Sequence, residues 1–273
     1  MVKSFFIFIV LVTSLFSDEL LDIKIKSFIS EKQYIQNKDF IDIIFSPASN
    51  YYVQDRIDNV KIIKTLKNNG LLNLFFNKPK ELNLSFSTSG SPIFFLKIMG
   101  DTLRDIGYYR YITVSSNLNA SEFTWSISLN SEYATDPIIL QQELLKRGCN
   151  IVDIQRESPT KWIYNIDMTN GYLDVQKLYG FEQIVLKRSL YAHWLNITDI
   201  EKIKIKSSIR NSWYPYITYY DKSLHLLEVI KRDVKSRVIS LDIPPQAMYM
   251  KISDLYTLKN VRDPLTIIPK SSR

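Results

Sequence analysis

The sequence has few of the residues that most enzymes use for covalent and phosphate chemistry. It contains one cysteine, two histidines and seven glycines in 273 residues. One cysteine excludes an internal disulfide, and seven glycines leave little material for a phosphate-binding loop. The motifs G-x-S-x-G, H-E-x-x-H and C-x-x-C do not occur. We therefore expect no catalytic residues, no metal site and no cofactor, and a hydrophobic core must stabilise the fold.

A large excess of charge of one sign is also missing. The chain has 35 Lys and Arg against 28 Asp and Glu, a net charge of +7, and no nucleic-acid-binding motif, so we expect no nucleic-acid partner. The densest basic run is EKIKIKSS, residues 201–208, where a period of two places Ile203 and Ile205 on one face and lysines on the other. This run is typical of a solvated face or a lysine-guarded sheet edge. The alternative is attraction to lipid headgroups or an anionic wall polymer.

The first 17 residues, MVKSFFIFIVLVTSLFS, have the pattern of a secretory signal peptide. Lys3 precedes an apolar run from Phe5 to Val12, and small residues follow. The run is shorter than the roughly 20 residues that span a bilayer. We therefore predict cleavage after Ser17, with an uncleaved anchor as the alternative. No later segment has membrane-span length without charges, so we expect a periplasmic mature chain with no transmembrane segment.

Residues 18–120 show alternating strand and helix patterns. We predict a strand at 40–45, a helix within 55–70, two strands around a turn at NKPK within 71–87, a helix at 91–107 and a strand at 108–116. The helix at 55–70 has Ile57, Val60, Ile63 and Leu66 at helical spacing and Gly70 as its stop. This β-α-β-β-α-β order is typical of ferredoxin-like domains.

Residues 121–198 repeat part of this order. We predict a strand at 122–129, a helix at 135–148, two strands around ESPT within 149–167, a short helix at 171–178 and a strand within 181–197. Asp136 suits the N-cap of the helix, Pro137 its first position and Gly148 its stop. The prediction is therefore an α+β body of two tandem ferredoxin-like units, 18–120 and 121–198, with one larger α+β domain as the alternative.

Helical periodicity fades after residue 198. KIKIKSS, YPYITYY, RVISLDI and MYMKISDLYTL read as successive strands, which predicts an antiparallel β-sandwich over residues 199–273. The stretches SSIRNSWYPYITYYD and SLDIPPQAMYMKISDLYTLKN resemble the jelly-roll modules of the galactose-binding, discoidin-like kind. The exported, Lys- and Ile-rich, Gly-poor chain as a whole resembles periplasmic proteins of Gram-negative bacteria.

The aromatic stretch SWYPYITYYDKSLHLLEVI, residues 212–230, holds the candidate ligand-binding residues. Sugar sites combine aromatic faces with polar groups that fix hydroxyls. The candidates of these two kinds are Arg210, Asn211, Tyr214, Tyr216, Tyr220, Asp221 and His225. Strand alternation predicts that Trp213, Pro215, Ile217 and Tyr219 face the core and Tyr214, Tyr216 and Thr218 face outward. The alternative is that these tyrosines only cover a sheet.

These features together favour a non-catalytic binding protein or accessory of the cell envelope. Its expected partner is an envelope glycan, bound through the C-terminal sandwich, or another periplasmic protein. One alternative is a structural subunit of an envelope machine such as a secretion or flagellar assembly. Another is a carbohydrate-active enzyme, because a pair of carboxylates need only meet in space. The segment SDLYTLKNVRDP also contains side-chain oxygens that could bind a structural Ca²⁺, which is a further alternative.

Overall fold

The computed structural model describes residues 19–271, so the predicted signal peptide lies outside the described residues. The described residues divide into two compact units, with the boundary between Gly171 and Tyr172. The described part is mixed α+β, with six helices and most of its regular structure in sheets, which confirms the predicted α+β class. No helix within residues 19–271 has both the length and the apolar character needed to cross a bilayer.

Within residues 19–171, the first unit contains six α-helices and seven strands. Its helices are α1 (residues 19–28), α2 (Glu31–Gln36), α3 (Lys38–Ile44), α4 (Asn59–Asn68), α5 (Pro92–Asp105) and α6 (Pro137–Leu145), with a 3-10 turn at Ala48–Tyr51. Its strands are β1 (Tyr52–Val53), β2 (Arg56–Ile57), β3 (Phe75–Thr88), β4 (Ile112–Asn119), β5 (Glu122–Tyr133), β6 (Asn150–Ser158) and β7 (Lys161–Asp167). Five strands form one sheet in the order β4-β5-β3-β7-β6.

The core of this sheet follows from alternation along its central strands. Leu84 and Phe86 of β3 lie directly opposite Ile127 and Trp125 of β5 and are buried with them. Tyr164 of β7 pairs with Phe86 in register, and their rings stack with centroids 5.5 Å apart. Side chains two residues apart share one face of a strand, so the three central strands present a continuous apolar face. The intervening positions are mostly Ser, Thr and Asn.

Helix signals in the sequence are confirmed at both ends of α6. The Asp136 side chain caps the helix by accepting a hydrogen bond from the Ile138 N–H at 3.0 Å, and Pro137 occupies the first position. Gly148 has φ +69°, the left-handed conformation that ends a helix at low cost for glycine. The helix predicted within residues 55–70 is α4, the helix predicted at 91–107 is α5, and Asp58 caps α4.

The strand predicted at residues 40–45 is wrong, because residues 40–44 lie in helix α3 and Phe45 is its C-cap. Ile41 and Phe45, four residues apart, are buried, whereas Phe40 and Ile43 are exposed. The β-branched and aromatic composition indicated a strand, but burial follows the helical spacing. The β-α-β-β-α-β order predicted to begin with this strand therefore does not begin there.

Three other predicted elements also differ from the structure. The two strands expected around NKPK are one strand, β3, whose pairing with β5 shifts register between Phe75 and Lys80. An irregular ladder accommodates Pro79, which has no N–H to donate. No helix forms at 171–178, where only β8 (Gln176–Lys177) is regular, and the single strand expected within 181–197 is two strands, β9 (Ile184–Leu186) and β10 (His193–Asn196).

The second unit consists of two sheets. They contain β8, β9 and β10 and six further strands, with a 3-10 turn at Leu258–Asn260. The further strands are β11 (Lys202–Ser207), β12 (Pro215–Tyr220), β13 (Leu226–Lys231), β14 (Val238–Asp242), β15 (Tyr249–Asp254) and β16 (Leu265–Lys270). The five-stranded sheet has the order β13-β12-β15-β10-β8, and the four-stranded sheet has the order β14-β11-β16-β9. All pairings are antiparallel except the pairing of β10 with β8.

One hydrophobic cluster contains residues from both sheets of the second unit. Ile203 and Ile205 of β11 lie in it with Ile217 of β12 and Ile252 of β15, and all four are buried. The lysines that alternate with Ile203 and Ile205 are exposed, which confirms the predicted faces of β11. Strand β11 pairs with β14 on one side and β16 on the other, so it is not a sheet edge.

Along the chain, the boundary between the two compact units lies between Gly171 and Tyr172. The boundaries predicted from the sequence lie at 120/121 and 198/199. The first predicted boundary falls in the turn of the β4–β5 hairpin, where Asn119 pairs with Glu122. Because β5 also pairs with β3, strands on both sides of that boundary belong to one sheet. Strands from the two predicted units therefore share one sheet.

Cys149 follows α6 and is fully buried in the first unit. Burial and the nearby Asp167 carboxylate raise the pKa of its thiol to about 11. A thiol with a raised pKa and no access to solvent is unreactive, so Cys149 behaves as a small apolar core residue.

Candidate functional site

Strand β12 occupies an interior position of the five-stranded sheet and displays the predicted alternation. Trp213, Pro215, Ile217 and Tyr219 are buried, and Tyr214, Tyr216 and Tyr220 are partly exposed. Trp213 lies in the shared cluster, and its indole N–H donates to the Ser253 carbonyl at 2.9 Å. The inward ring thereby fixes the strand whose other face carries the candidate tyrosines.

Cross-strand pairing brings additional side chains to the outer side of β12. Tyr216 lies opposite Lys231 of β13, and the Lys231 ammonium is 5.6 Å from the centre of the Tyr216 ring. Trp194 of β10 lies opposite Lys251 of β15, whose ammonium is 5.6 Å from the Trp194 ring. These lysines hold cation–π geometry with the rings. Residues directly opposite each other in a sheet share a face, so rings and ammonium groups alternate across this surface.

Tyr220 completes a pair of stacked rings. Its ring centroid is 5.2 Å from that of Trp194, with an interplanar angle of 30°. We call the surface formed by Lys231, Tyr216, Thr218, Tyr220, Trp194 and Lys251 the aromatic face. It is a strip along β12 and its neighbours rather than an enclosed pocket.

Thr218 lies in the middle of the aromatic face and differs from its prediction. It was expected to be exposed between Tyr216 and Tyr220, but it is only 3% exposed. Its hydroxyl oxygen has no hydrogen-bond partner. A buried polar atom without a partner has a free-energy cost, and the neighbouring side chains of the aromatic face cover this hydroxyl.

Arg210 and Asn211 are used within the protein. Arg210 makes two hydrogen bonds to the Asp263 carboxylate, at 2.7 and 2.8 Å. The Asn211 amide oxygen accepts from the main-chain N–H groups of Arg262 and Asp263, and its NH₂ group donates to Ser207 and to the Asp263 carbonyl. Asn211 is 1% exposed. Neither side chain lies on the aromatic face. Both hold the segment at residues 210–211 against residues 262–263, and we call this set of hydrogen bonds the clamp.

Asp221 and His225 form the turn between β12 and β13. Asp221 accepts from the N–H groups of Ser223 and His225, and its second carboxylate oxygen is 2.8 Å from His225 Nδ1. Burial alone would raise the pKa of Asp221, but the hydrogen bonds from His225 and Ser223 lower it below its usual value. This exposed pair adjoins the Tyr220 end of the aromatic face.

Tyr214 stands at the opposite end of β12. Its ring packs edge-on against the Tyr256 ring, with centroids 5.1 Å apart, and its N–H donates to Asp254. Asp254 also accepts from the N–H groups of Tyr256 and Thr257 and from the Asn260 side chain. The carboxylates of SDLYTLKNVRDP therefore face hydrogen-bond donors. Among residues 19–271, no three His, Cys, Asp or Glu side chains form a group that could hold a metal ion.

Of the seven predicted ligand-binding residues, Tyr216 and Tyr220 lie on the aromatic face, and Tyr214, Asp221 and His225 lie at its ends. The prediction missed Trp194, Lys231 and Lys251. No local signal identifies Trp194 and Lys251, because they reach β12 through pairing between strands that are distant in sequence, Thr218 with Lys251 and Lys251 with Trp194. Lys231 lies opposite Tyr216 in the β12–β13 hairpin.

Comparison with known proteins yields no matching family model, no matching curated protein and no matching solved structure. The side chains of the aromatic face are therefore the basis for a functional conclusion.

Proposed function

We propose that the protein is an exported accessory of the cell envelope that works by binding a glycan on the aromatic face. The observation that carries this proposal is one partly exposed strip with rings at Tyr216, Tyr220 and Trp194 beside the Lys251 ammonium. Aromatic faces contact the C–H faces of a pyranose, and ammonium and hydroxyl groups bind its hydroxyls. A strip without an enclosing wall suits an extended chain of sugars better than a single sugar.

The architecture we infer is consistent with this role. In the first unit, β3-α5-β4-β5-α6-β6 follows the ferredoxin-like β-α-β-β-α-β order, with β7 added between β3 and β6. In the second unit, two sheets that share one cluster support a β-sandwich of the galactose-binding, discoidin-like kind. A periplasmic location, which follows from the predicted signal peptide, would place both units among envelope glycans.

The Tyr216→Ala variant tests the glycan proposal. Because Tyr216 is partly exposed, we expect its loss to weaken binding to an envelope glycan about fivefold or more, corresponding to about 1 kcal/mol, with little change in melting temperature. Calorimetric titration and a glycan array measure the binding. The matched control is Tyr109→Ala, since Tyr109 is an exposed tyrosine in the other unit.

Trp213→Ala separates a binding effect from a folding effect. Trp213 is fully buried, so truncation should lower the free energy of unfolding by about 3–5 kcal/mol. If Tyr216→Ala lowers stability as Trp213→Ala does, or if no glycan binds the native protein, the tyrosines serve packing and the glycan proposal fails.

A second candidate function is assembly, because strand β4 is a sheet edge without charge. Residues 112–119, ITVSSNLN, contain no charged side chain, and Ile112, Val114 and Leu118 are largely exposed. Natural edge strands usually carry charges that prevent pairing with another chain. A register shift at Val114, between Thr113 and Ser115, makes this edge irregular.

Val114→Lys tests the assembly candidate. We expect this charge to reduce any concentration-dependent self-association measured by light scattering, because it opposes edge-to-edge pairing. Val234→Lys, which adds the same charge at an exposed position of the other unit, should not reduce it. A monomeric wild-type protein at every concentration would remove self-assembly through this edge from consideration.

A further inference from the structure

The outer side of the four-stranded sheet carries a cluster of lysines separate from the aromatic face. We call Lys202, Lys204, Lys206 and Lys270 the lysine face. The first three alternate with buried isoleucines on β11, and Lys270 of β16 lies directly opposite Lys202. All four are exposed. Asp242, which pairs with Lys202 at 2.9 Å, is the acidic residue among the outward positions of these strands.

Protection of a sheet edge does not explain these lysines. Lysines on an edge strand prevent pairing with other chains, but β11 pairs with β14 and β16 along its length. Like charges directly opposite each other destabilise a sheet, and Asp242 offsets this repulsion only beside Lys202, at one end of the lysine face. A surface that keeps this arrangement has a cationic field that attracts anions.

Apolar side chains border the lysine face along strand β9. Val185 is exposed and lies opposite Thr266, an outward position of β16. Gly180 packs so closely on Ser271, the residue after Lys270, that any side chain at position 180 would collide with it. Phe181 follows Gly180 and is 82% exposed. The close approach of Gly180 to Ser271 thus brings the backbone of an exposed aromatic residue, Phe181, to the Lys270 end of β16.

We propose that the lysine face and its apolar border, Val185 and Phe181, dock on an anionic lipid surface. Each basic residue near an anionic bilayer contributes to attraction, and aromatic and aliphatic side chains at the rim enter the headgroup region. A soluble polyanion would be attracted to the lysines but would give no role to Phe181. The border residues therefore favour a lipid surface over an anionic polymer.

Sedimentation of the purified protein with lipid vesicles tests the proposal. The wild type and all variants begin at the same residue, so that differences in binding come from the substitutions. We expect binding to phosphatidylcholine vesicles that contain phosphatidylglycerol, weaker binding to pure phosphatidylcholine, and a decrease with added salt. The double variant Lys204→Gln/Lys206→Gln should lower the partition coefficient about tenfold or more. The control Lys222→Gln/Lys259→Gln makes the same charge change on turns of the same unit and should leave the partition coefficient unchanged.

Phe181→Ser distinguishes lipid from a soluble polyanion. It should weaken binding to anionic vesicles and leave binding to dextran sulfate unchanged, while the melting temperature stays the same because the ring is exposed. The proposal is overturned if both double variants bind vesicles equally, or if Phe181→Ser binds vesicles like the wild type. Stronger binding of the wild type to dextran sulfate than to vesicles would also overturn it, in favour of an anionic polymer.

Discussion

Asn211 is buried, and its side-chain amide makes hydrogen bonds to two main-chain N–H groups, one carbonyl and one hydroxyl. In the sequence it is a polar residue next to an aromatic run, as expected of a residue that fixes sugar hydroxyls. Three of its partners belong to residues 262 and 263, about fifty positions away. No local pattern reveals such partners, so residue type alone could not distinguish a ligand-binding amide from a structural one.

The carboxylate of Asp263 belongs to the same clamp and gives a pH-dependent prediction. Hydrogen bonds from Ser208 and Arg210 hold the pKa of Asp263 below its usual value. A carboxyl with a lowered pKa in the folded state stabilises the protein above its unfolded pKa of about 3.9. That stabilisation is lost as the pH falls through the lowered, folded-state pKa.

Ser208→Ala should therefore be less stable than the wild type at neutral pH, and the difference should shrink below about pH 4. Thermal melts across the acid range measure this difference, and NMR titration should find the Asp263 pKa closer to its usual value. Ser240→Ala removes an exposed hydroxyl on another strand and serves as the control. A stability difference that is independent of pH would contradict the assigned role of Ser208.

At the scale of elements, substitutions in strand β11 test which of its side chains face the core, a point on which the sequence prediction and the structure agree. Ile203 is 1% exposed in the shared cluster, whereas Lys204 is exposed on the opposite face. Ile203→Asp should lower the free energy of unfolding by about 3–5 kcal/mol, because it buries an unpaired charge. Lys204→Asp should change it by only about 0.5 kcal/mol or less. Chemical denaturation of both variants measures the contrast, and equal stabilities would show that the register is wrong.

Periodicity predicted the strands and helices whose burial pattern is regular, and composition misled where the two signals conflict. The alternation of β11 and the capped helices α4 and α6 were predicted correctly, because spacing and caps point to the same structure. Residues 40–45 have strand-forming side chains at helix-compatible spacing, and helical packing of Ile41 and Phe45 decides the outcome. The register shift near Pro79 was also not evident, since it depends on pairing with β5.

Long-range pairing also explains why only part of the candidate site was predicted. Tyr216 and Tyr220 follow from alternation within one strand. Trp194 reaches Tyr220 only because β15 lies between β10 and β12, an order that the sequence does not specify. Thr218 was placed on the correct face but is buried there, because burial depends on the neighbours that pairing supplies.

At the scale of the whole molecule, the second unit contains its own sheets and core. The cluster that stabilises it draws only on residues between Leu178 and Ile267, and the unit begins at Tyr172. A domain of about 100 residues with its own core can fold alone. We predict that the fragment 172–273 unfolds cooperatively on heating and gives a dispersed amide NMR spectrum.

The fragment 199–273, which begins at the predicted sandwich boundary, is the comparison. It lacks β8, β9 and β10, so it loses Leu186 and Leu195 from the cluster and one strand partner each of β15 and β16. It should be markedly less stable or unfolded. If it folds as well as 172–273, the boundary predicted from sequence describes the folding unit better than the boundary at Tyr172.

The burial of Cys149 has a practical consequence for studying both faces. Because the native thiol is inaccessible and its pKa is raised, maleimide reagents should not modify the folded wild-type protein. A cysteine introduced at Ser240, beside the lysine face, would then be the single labelling position in the native state. An environment-sensitive dye attached there would report directly on whether that side of the molecule approaches a bilayer, without first removing Cys149 from the core.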